Sequence, residues 1–349
     1  MKAKDKVVIL TGGTGSFGRF LTQDLLRHGT HVIMLVRADS GESARKRVEA
    51  INGKLPKNVE VYKSDLTTEK IGLSAEDYSN LKDRTTHILH AAASIRFNLP
   101  LEVARAHNVK TTENIIEFAK VCSNLIRFGF VSSALVAGNR TGLIKEEEFA
   151  HNAGFKNTYE QSKYEAEALV RSCVGNLPVV IFRPPLIFTP TLSKGSGKPR
   201  NFLSLAVSLI LKGFLPFFPG TENSTIDVVN NTDTARIISD LMVKEHLSHT
   251  TYHITNADRA PKIKTMLSLL EQKVGRPFKL EFCGDMKSFI ERVNRIPWYR
   301  PGRKLVYQRS MSFLPEAAYP KVFDNQNTLS ELNIKQIGTD PVEILRSFI

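Results

Sequence analysis

The stretch Thr11–Gly18, "TGGTGSFG", stands between the β-branched run "KVVIL" (6–10) and the amphipathic segment "FGRFLTQDLLRHG" (17–29), which Gly29 closes. Gly13, Gly15 and Gly18 satisfy G-x-G-x-x-G, and Gly12, Gly15 and Gly18 satisfy G-x-x-G-x-x-G. Glycine is needed in such a turn because the chain must bend tightly and let backbone amides approach a pyrophosphate at a helix N-terminus, where the dipole favours negative charge. A glycine turn without a ligand is the alternative. The strand before it and the helix after it favour dinucleotide binding, with Thr11, Gly12, Gly13, Gly15, Ser16, Phe17 and Gly18 as the candidate cradle.

Short β-branched runs continue to alternate with helical patterns through the first half of the chain, the signature of a parallel sheet covered by helices. Strands are expected at 6–10, 31–37, 58–66, 86–94, 127–134 and 178–184, and helices at 17–29, from about Ser40, at 108–122 and at 158–172. After residue 184 the pattern loosens. Residues 190–200, "PTLSKGSGKPR", read as a mobile loop, 202–211 as an apolar helix, 224–242 as a strand and helix, and 251–255 as another core strand. At 349 residues the chain exceeds what one typical core supports. The expected fold is α/β: a Rossmann-type doubly wound parallel sheet (1–185 and 224–256) with a smaller, discontinuous C-terminal substrate domain (186–223 and 257–349).

Composition narrows the function classes. With 42% apolar and 24% charged residues and no low-complexity tract, the chain reads as soluble and globular. Cys122, Cys173 and Cys283 lie far apart and form no Cys-x-x-Cys pair, so neither a disulfide framework nor a metal site is expected, and a reducing, cytoplasmic location is. The apolar run near the N-terminus is too short for a signal-peptide core. Lys212, Gly213, Pro216 and Pro219 interrupt the apolar region 202–220, which therefore does not read as a membrane span. The formal charge is +13, and between Lys287 and Arg309 basic residues face one acid, Glu291. A solvated face is the default reading of that segment. The functional one is attraction of an acidic partner: a phosphorylated substrate, an acidic acyl carrier protein or an anionic membrane surface, with nucleic acid not expected. Oligomeric state is left open.

The second strand ends at "LVRADS", where an acid would hydrogen-bond the adenosine ribose of NAD. Arg37 stands there and suits the 2′-phosphate of NADP, with Arg47 a second candidate; Asp39, two residues on, keeps NAD open. Asp65 and Leu66, at the end of the third strand, are candidates for the adenine edge, and a plain turn is the alternative for Asp65. Ala91, Ala92 and Ala93 are small enough to let a cofactor pass over the fourth strand. Tyr159 and Lys163 are four apart, hence on one helix face. Their spacing alone fits a solvated face as well as a phenol beside an ammonium group.

The chain resembles an extended short-chain dehydrogenase/reductase. The resemblance rests on the glycine motif, "DL" (65–66), "HAAAS" (90–94), "NV" (108–109), "FVSSALVAG" (130–138), "YEQSK" (159–163) and "FRPP" (182–185), and covers about residues 6–255. "LVRA" (35–38), "HAAASIRF" (90–97), "YEQSKYEAE" (159–167) and "KVFDNQNT" (321–328) are similar to the branch that reduces acyl thioesters, which includes fatty acyl-CoA reductases and terminal reductase domains of carboxylic acid reductases and peptide synthetases. The resemblance implies NADP(H) as cofactor, Tyr159 as proton donor, Lys163 as the charge that stabilises its anion and holds the nicotinamide ribose, and Ser133 as the group polarising the carbonyl. It also implies Asn108 in the catalytic set, with a buried amide holding the backbone as the alternative, and Arg183 and Pro184 at the cofactor. A phenol has an unperturbed pKa of about 10, so it donates rather than accepts a proton near neutrality. The implied activity is NADPH-dependent reduction of an acyl thioester to an aldehyde, or on to an alcohol, with residues 202–220 as a greasy wall for the acyl chain. A 3-hydroxysteroid or 3-hydroxyacyl dehydrogenase, a sugar-nucleotide epimerase or dehydratase, and a redox-inactive NADP-binding regulator are the competing readings.

Overall fold

A computed structural model describes residues 6–188, 207, 210–211, 217–278, 280–295, 311 and 314–348. The expected loop 190–200 and most of the expected helix 202–211 lie outside the described residues.

Seven strands form one parallel sheet: β1 (Val7–Thr11), β2 (His31–Val36), β3 (Val59–Lys63), β4 (His87–His90), β5 (Arg127–Val131), then, after the short strand β6 (Gly142–Ile144), β7 (Val179–Arg183). Short strands β8 (Leu186–Phe188), β9 (Phe217–Phe218) and β10 (Val228–Asn230) precede the seventh member, β11 (Thr251–His253). The spatial order is β3-β2-β1-β4-β5-β7-β11, so the connection reverses between β1 and β4. Ligand crevices of open α/β sheets form at that reversal, beyond the carboxyl ends of the strands. β12 (Glu281–Phe282) pairs with β9, and β13 (Lys321–Phe323) pairs with β6, which brings the C-terminal segment beside the chain that follows β5.

The helices follow local chemistry. α1 (Gly18–Arg27) leaves the glycine turn, and Ser40 caps α2 (Gly41–Asn52) in a capping box with Ser43. Ser74 caps α3 (Ala75–Arg84), a helix that periodicity did not disclose because "AEDYSNLKDR" buries only Leu81. The helix expected at 108–122 starts earlier: α4 (Leu101–Arg105) runs into α5 (Thr111–Val121) through a π-type turn at Ala106–Lys110. Asn157 caps α6 (Thr158–Arg171), accepting from the Glu160 amide.

Alternate residues of each strand feed two cores, as the two-residue period of a strand requires. Val8, Leu10, Val32 and Met34 pack with Leu21, Leu25 and the helix Asn231–Val243, while Ile9, Ile33, Leu35 and Ile88 pack with Ile115, Phe118 and Ala166. A third cluster joins Phe188, Val207, Ile210, Phe218 and Val228 to Ile263, Met266, Phe289 and Leu345. Residues 329–337 pack on the sheet rather than on that third cluster.

Candidate active site

The glycine turn is shaped so that no side chain fits it. Gly12 has φ +75°, and a Cβ on it would lie 2.8 Å from the Ala91 backbone; one on Gly18 would lie 2.0 Å from the Gly12 carbonyl oxygen. The turn therefore lies directly against the end of β4. No side chain caps the start of α1, so its first amides are not spent on the protein's own side chains. Ser16 is exposed at that helix start and Phe17 packs on the core. An uncapped helix start in a cradle that a Cβ would fill fits the pyrophosphate of a dinucleotide.

Thr11 is fully buried, and its hydroxyl accepts from the amides of Ala91 and Ala92, both at 3.1 Å. The same hydroxyl meets His90 Nδ1 at 2.7 Å; His90 Nε2 meets the Thr112 hydroxyl at 3.2 Å, which donates to the Asn108 carbonyl at 2.6 Å. These directions place the His90 proton on Nε2. Burial, helped by the nearby Lys163 charge, lowers the His90 pKa to about 3, so the ring stays neutral. The chain continues through the Asn108 amide group, which donates to Ser162 Oγ at 2.9 Å, and the Ser162 hydroxyl donates to the Tyr159 carbonyl at 3.0 Å. A continuous hydrogen-bonded path thus joins the glycine turn to the helix bearing Tyr159. His90, Thr112 and Ser162 were not among the sequence candidates; buried polar residues of this kind carry no periodic signal.

Asn108 also grips Ser94 from both sides, accepting from its amide at 2.7 Å and donating to its carbonyl at 3.1 Å. It sits in the π-type turn, a feature that re-aims a side chain within a helix. The geometry is that of a buried amide holding backbone. Thr158 donates to the Leu99 carbonyl at 2.9 Å, so the loop between is held at both ends, with the Phe97 ring 5.2 Å from that of Tyr159 at 41°.

Ser132 and Ser133 face different partners. Ser132 donates to Glu167 at 2.5 Å, whereas the Ser133 hydroxyl accepts from the Leu135 amide at 3.2 Å and faces the Tyr159 phenol. Burial pushes the Tyr159 pKa up to about 12, with the neighbouring Ser133 hydroxyl opposing, so the phenol carries its proton throughout the neutral range. Lys163, one turn on, is 2% exposed; its Nζ donates to the Val131 carbonyl at 2.8 Å and lies 4.3 Å from the Phe130 ring centroid. Burial lowers its pKa to about 7, with the Glu167 charge opposing. Tyr159, Lys163 and Glu167 fall at i, i+4 and i+8 on one face of α6.

Arg183, a candidate at the cofactor, is held by the protein's own groups. It is 1% exposed, with its guanidinium bound to Glu167 at 2.6 Å, to the Glu148 carbonyl at 2.9 Å and to His253 at 3.2 Å. Its neighbour Pro184 is buried, and its carbonyl accepts from the Ala134 amide, bracing the turn after Ser133. At the other end of the crevice Arg37 is exposed, and Arg47 donates to its backbone carbonyl at 3.1 Å, which brings the Arg47 guanidinium to the end of β2. Asp39 is exposed beside them. The Asp65 carboxylate accepts from the amide and hydroxyl of Thr67, a turn arrangement, and the Leu66 carbonyl accepts from Asn114. Ala93 is exposed while Ala91 and Ala92 are half-buried along β4's end.

Next to the Ser133 turn a cavity of about 60 Å³ opens, walled by Leu135, Leu186, Phe218, Ile263, Met266 and Leu314. Of the expected greasy wall 202–220, Phe218 lines this cavity and Val207 and Ile210 join the core behind it. Among the described residues, no helix is long and apolar enough to cross a membrane, and no cluster of three or more candidate metal-ligating side chains occurs.

The described male sterility protein family is matched over residues 10–238. The chain is 31% identical over 225 residues to the fatty acyl-CoA reductase wat of Drosophila melanogaster, covering 53% of this chain and 44% of that protein. It is 30% identical over 277 residues to fatty acyl-CoA reductase 1 of Rattus norvegicus, covering 66% and 54%. The chain thus spans about half the length of the curated relatives it matches. Its fold is similar to that of the terminal R domain from the myxalamid PKS-NRPS biosynthetic pathway, with a TM-score of 0.78 at 20% identity over 98% of this chain and 89% of that one.

Proposed function

Because the chain belongs to the male sterility protein family, a group of extended short-chain dehydrogenase/reductase type with a nicotinamide-cofactor fold, we propose that it reduces an acyl thioester, carried on CoA or an acyl carrier protein, with NADPH. The observation that carries this reading is the buried, protonated Tyr159 phenol facing the Ser133 hydroxyl, with Lys163 one turn on and an apolar cavity alongside. The glycine cradle would hold the pyrophosphate, Asp65 and Leu66 the adenine edge, and Arg37 with Arg47 the 2′-phosphate. NADPH bound there supplies the hydride.

The chain's own groups do the rest. Ser133 and Tyr159 donate to the substrate carbonyl oxygen and stabilise the charge that develops as its carbon is reduced. Tyr159 then passes its proton to that oxygen, and Lys163 offsets the charge left on the phenol. The resulting hemithioacetal collapses to an aldehyde and a thiol. A second reduction of the aldehyde would give the alcohol by the same residues. The relatives named as fatty acyl-CoA reductases support the substrate class.

The deciding assay follows NADPH oxidation with acyl-CoA and acyl-carrier thioesters of graded length, beside NADH and sugar nucleotides. Turnover with sugar nucleotides alone sinks the proposal. Cofactor choice has its own test: Arg37→Ala is expected to weaken NADPH binding about 10- to 100-fold, the worth of a charge-assisted phosphate contact. NADH binding, titrated by fluorescence in parallel, stays within about threefold.

A further inference from the structure

Beyond Ser133 the chain makes one short turn, Ala134–Ala137, and leaves it at Gly138. Gly138 has φ +57°, and a Cβ there would lie 2.2 Å from the Gly154 carbonyl oxygen, so this exit is fixed by shape. Its carbonyl accepts from two buried ammonium groups, Lys156 Nζ at 2.7 Å and Lys321 Nζ at 3.0 Å. Both are paired to one carboxylate: Glu316 lies 2.9 Å from Lys156 and 3.0 Å from Lys321. Lys156 also lies 3.0 Å from Glu160, the residue after Tyr159. Burial opposes the charge on Glu316, and the two ammonium groups keep it ionised.

Lys156, Glu316 and Lys321 therefore close a ring with the Gly138 carbonyl at the exit of the Ser133 turn, and Glu160 joins it through Lys156 from the start of the Tyr159 helix. Stability does not account for such a ring, because well-packed apolar residues in its place are often as stable or more so. What charges supply and apolar groups do not is a fixed placement of the backbone carbonyl they share. Glu316 and Lys321 also line the cavity beside Leu135, so the ring touches the space the acyl group would enter.

We propose that Glu316 is a positioning residue for the reaction: from the C-terminal segment it holds both lysines on the Gly138 carbonyl and so sets the Ser133 turn against Tyr159. This rests on the reading that Ser133 and Tyr159 act on the substrate carbonyl. The charged and titratable groups facing this region are Glu160 and Lys163 on α6, His151 and Lys156 before it, and Glu316, Tyr319 and Lys321 from the C-terminal segment.

The test compares the wild-type chain with Glu316→Gln, Glu316→Asp and the double variant Glu316→Gln/Lys321→Met, which removes one charge of each sign and guards against misfolding. Each is assayed with NADPH on an acyl-CoA and on the matching aldehyde. Glu316→Gln and the double variant are expected to lose about 10- to 100-fold in kcat, the effect of a misplaced reacting group, with KM and NADPH binding within about twofold. Glu316→Asp recovers most of the loss. A readout free of turnover is the ¹⁹F resonance of 3-fluorotyrosine at position 159, assigned with Tyr159→Phe, which is expected to move and to titrate at lower pH once Lys156 neutralises Glu160 alone. A folded double variant with wild-type kcat and an unmoved resonance overturns the proposal, as does a rise in KM at constant kcat. A wild-type protein that reduces the aldehyde but no thioester overturns the substrate reading instead, and the fluorine and aldehyde data then decide the role of Glu316.

Discussion

Replacing Tyr159 by phenylalanine is expected to lower kcat about 10²- to 10⁴-fold, the usual worth of a positioned proton donor, while the NADPH dissociation constant stays within about twofold. The ring is kept, so its packing against Phe97 survives and the loss isolates the phenolic proton. The pH profile sharpens the test. Tyr159 titrates near 12, too high to limit the rate at neutral pH, whereas burial brings Lys163 to about 7. If the ammonium form of Lys163 is the active one, kcat/KM is level below pH 7 and falls as pH rises through that value. A profile that instead rises through pH 7, or a phenylalanine variant with wild-type turnover, removes the pair from its role.

Glu167→Gln is expected to cost about 3–5 kcal/mol of folding stability, measured by urea denaturation. Glu167 is fully buried and is the shared counter-charge of Arg183 at 2.6 Å and Arg171 at 2.8 Å, besides accepting from Ser132. The amide leaves two guanidinium groups in the interior without compensation. Despite its burial, those guanidinium groups hold its pKa below the ordinary carboxylate value. The sign follows: the stabilisation is fully present above the unfolded-state pKa of about 4.3 and is lost as pH falls through the folded value. The gap between wild type and variant therefore narrows in acid, and a gap below about 1 kcal/mol at pH 7 would show that Arg183 and Arg171 are compensated without Glu167.

What was legible in the sequence was what is decided locally. Glycines between a strand and a helix, β-branched runs and the four-residue spacing of Tyr159 and Lys163 are short-range facts, and the parallel sheet with its glycine turn lies where they put it. Glu160, Glu167 and Glu316 were not legible as interior residues. A carboxylate on a helix reads as solvated, and whether it is buried is decided by tertiary packing: Arg183 comes from the next strand to meet Glu167, and Lys156 meets Glu316 from far along the chain. The same reason hid the pairing of Arg183 with a helix residue. The choice between Ser132 and Ser133 depends on which residue of α6 each hydroxyl faces, Glu167 or Tyr159, a tertiary fact. The acyl side is the least legible, since its cavity gathers single residues such as Leu135, Phe218, Met266 and Leu314 from distant segments.

The pairing of β13 with β6 bears on how the protein is made. Lys321 reaches Gly138 across 183 residues of chain. At a synthesis rate of about 5–20 residues per second, the glycine turn and strands β1 to β5 are made about 10–40 s or more before the strand that braces the Ser133 turn is translated. The glycine turn that would cradle the dinucleotide is therefore made well before the strand that braces the turn carrying Ser133, so the two halves of the proposed site are separate in the order of synthesis.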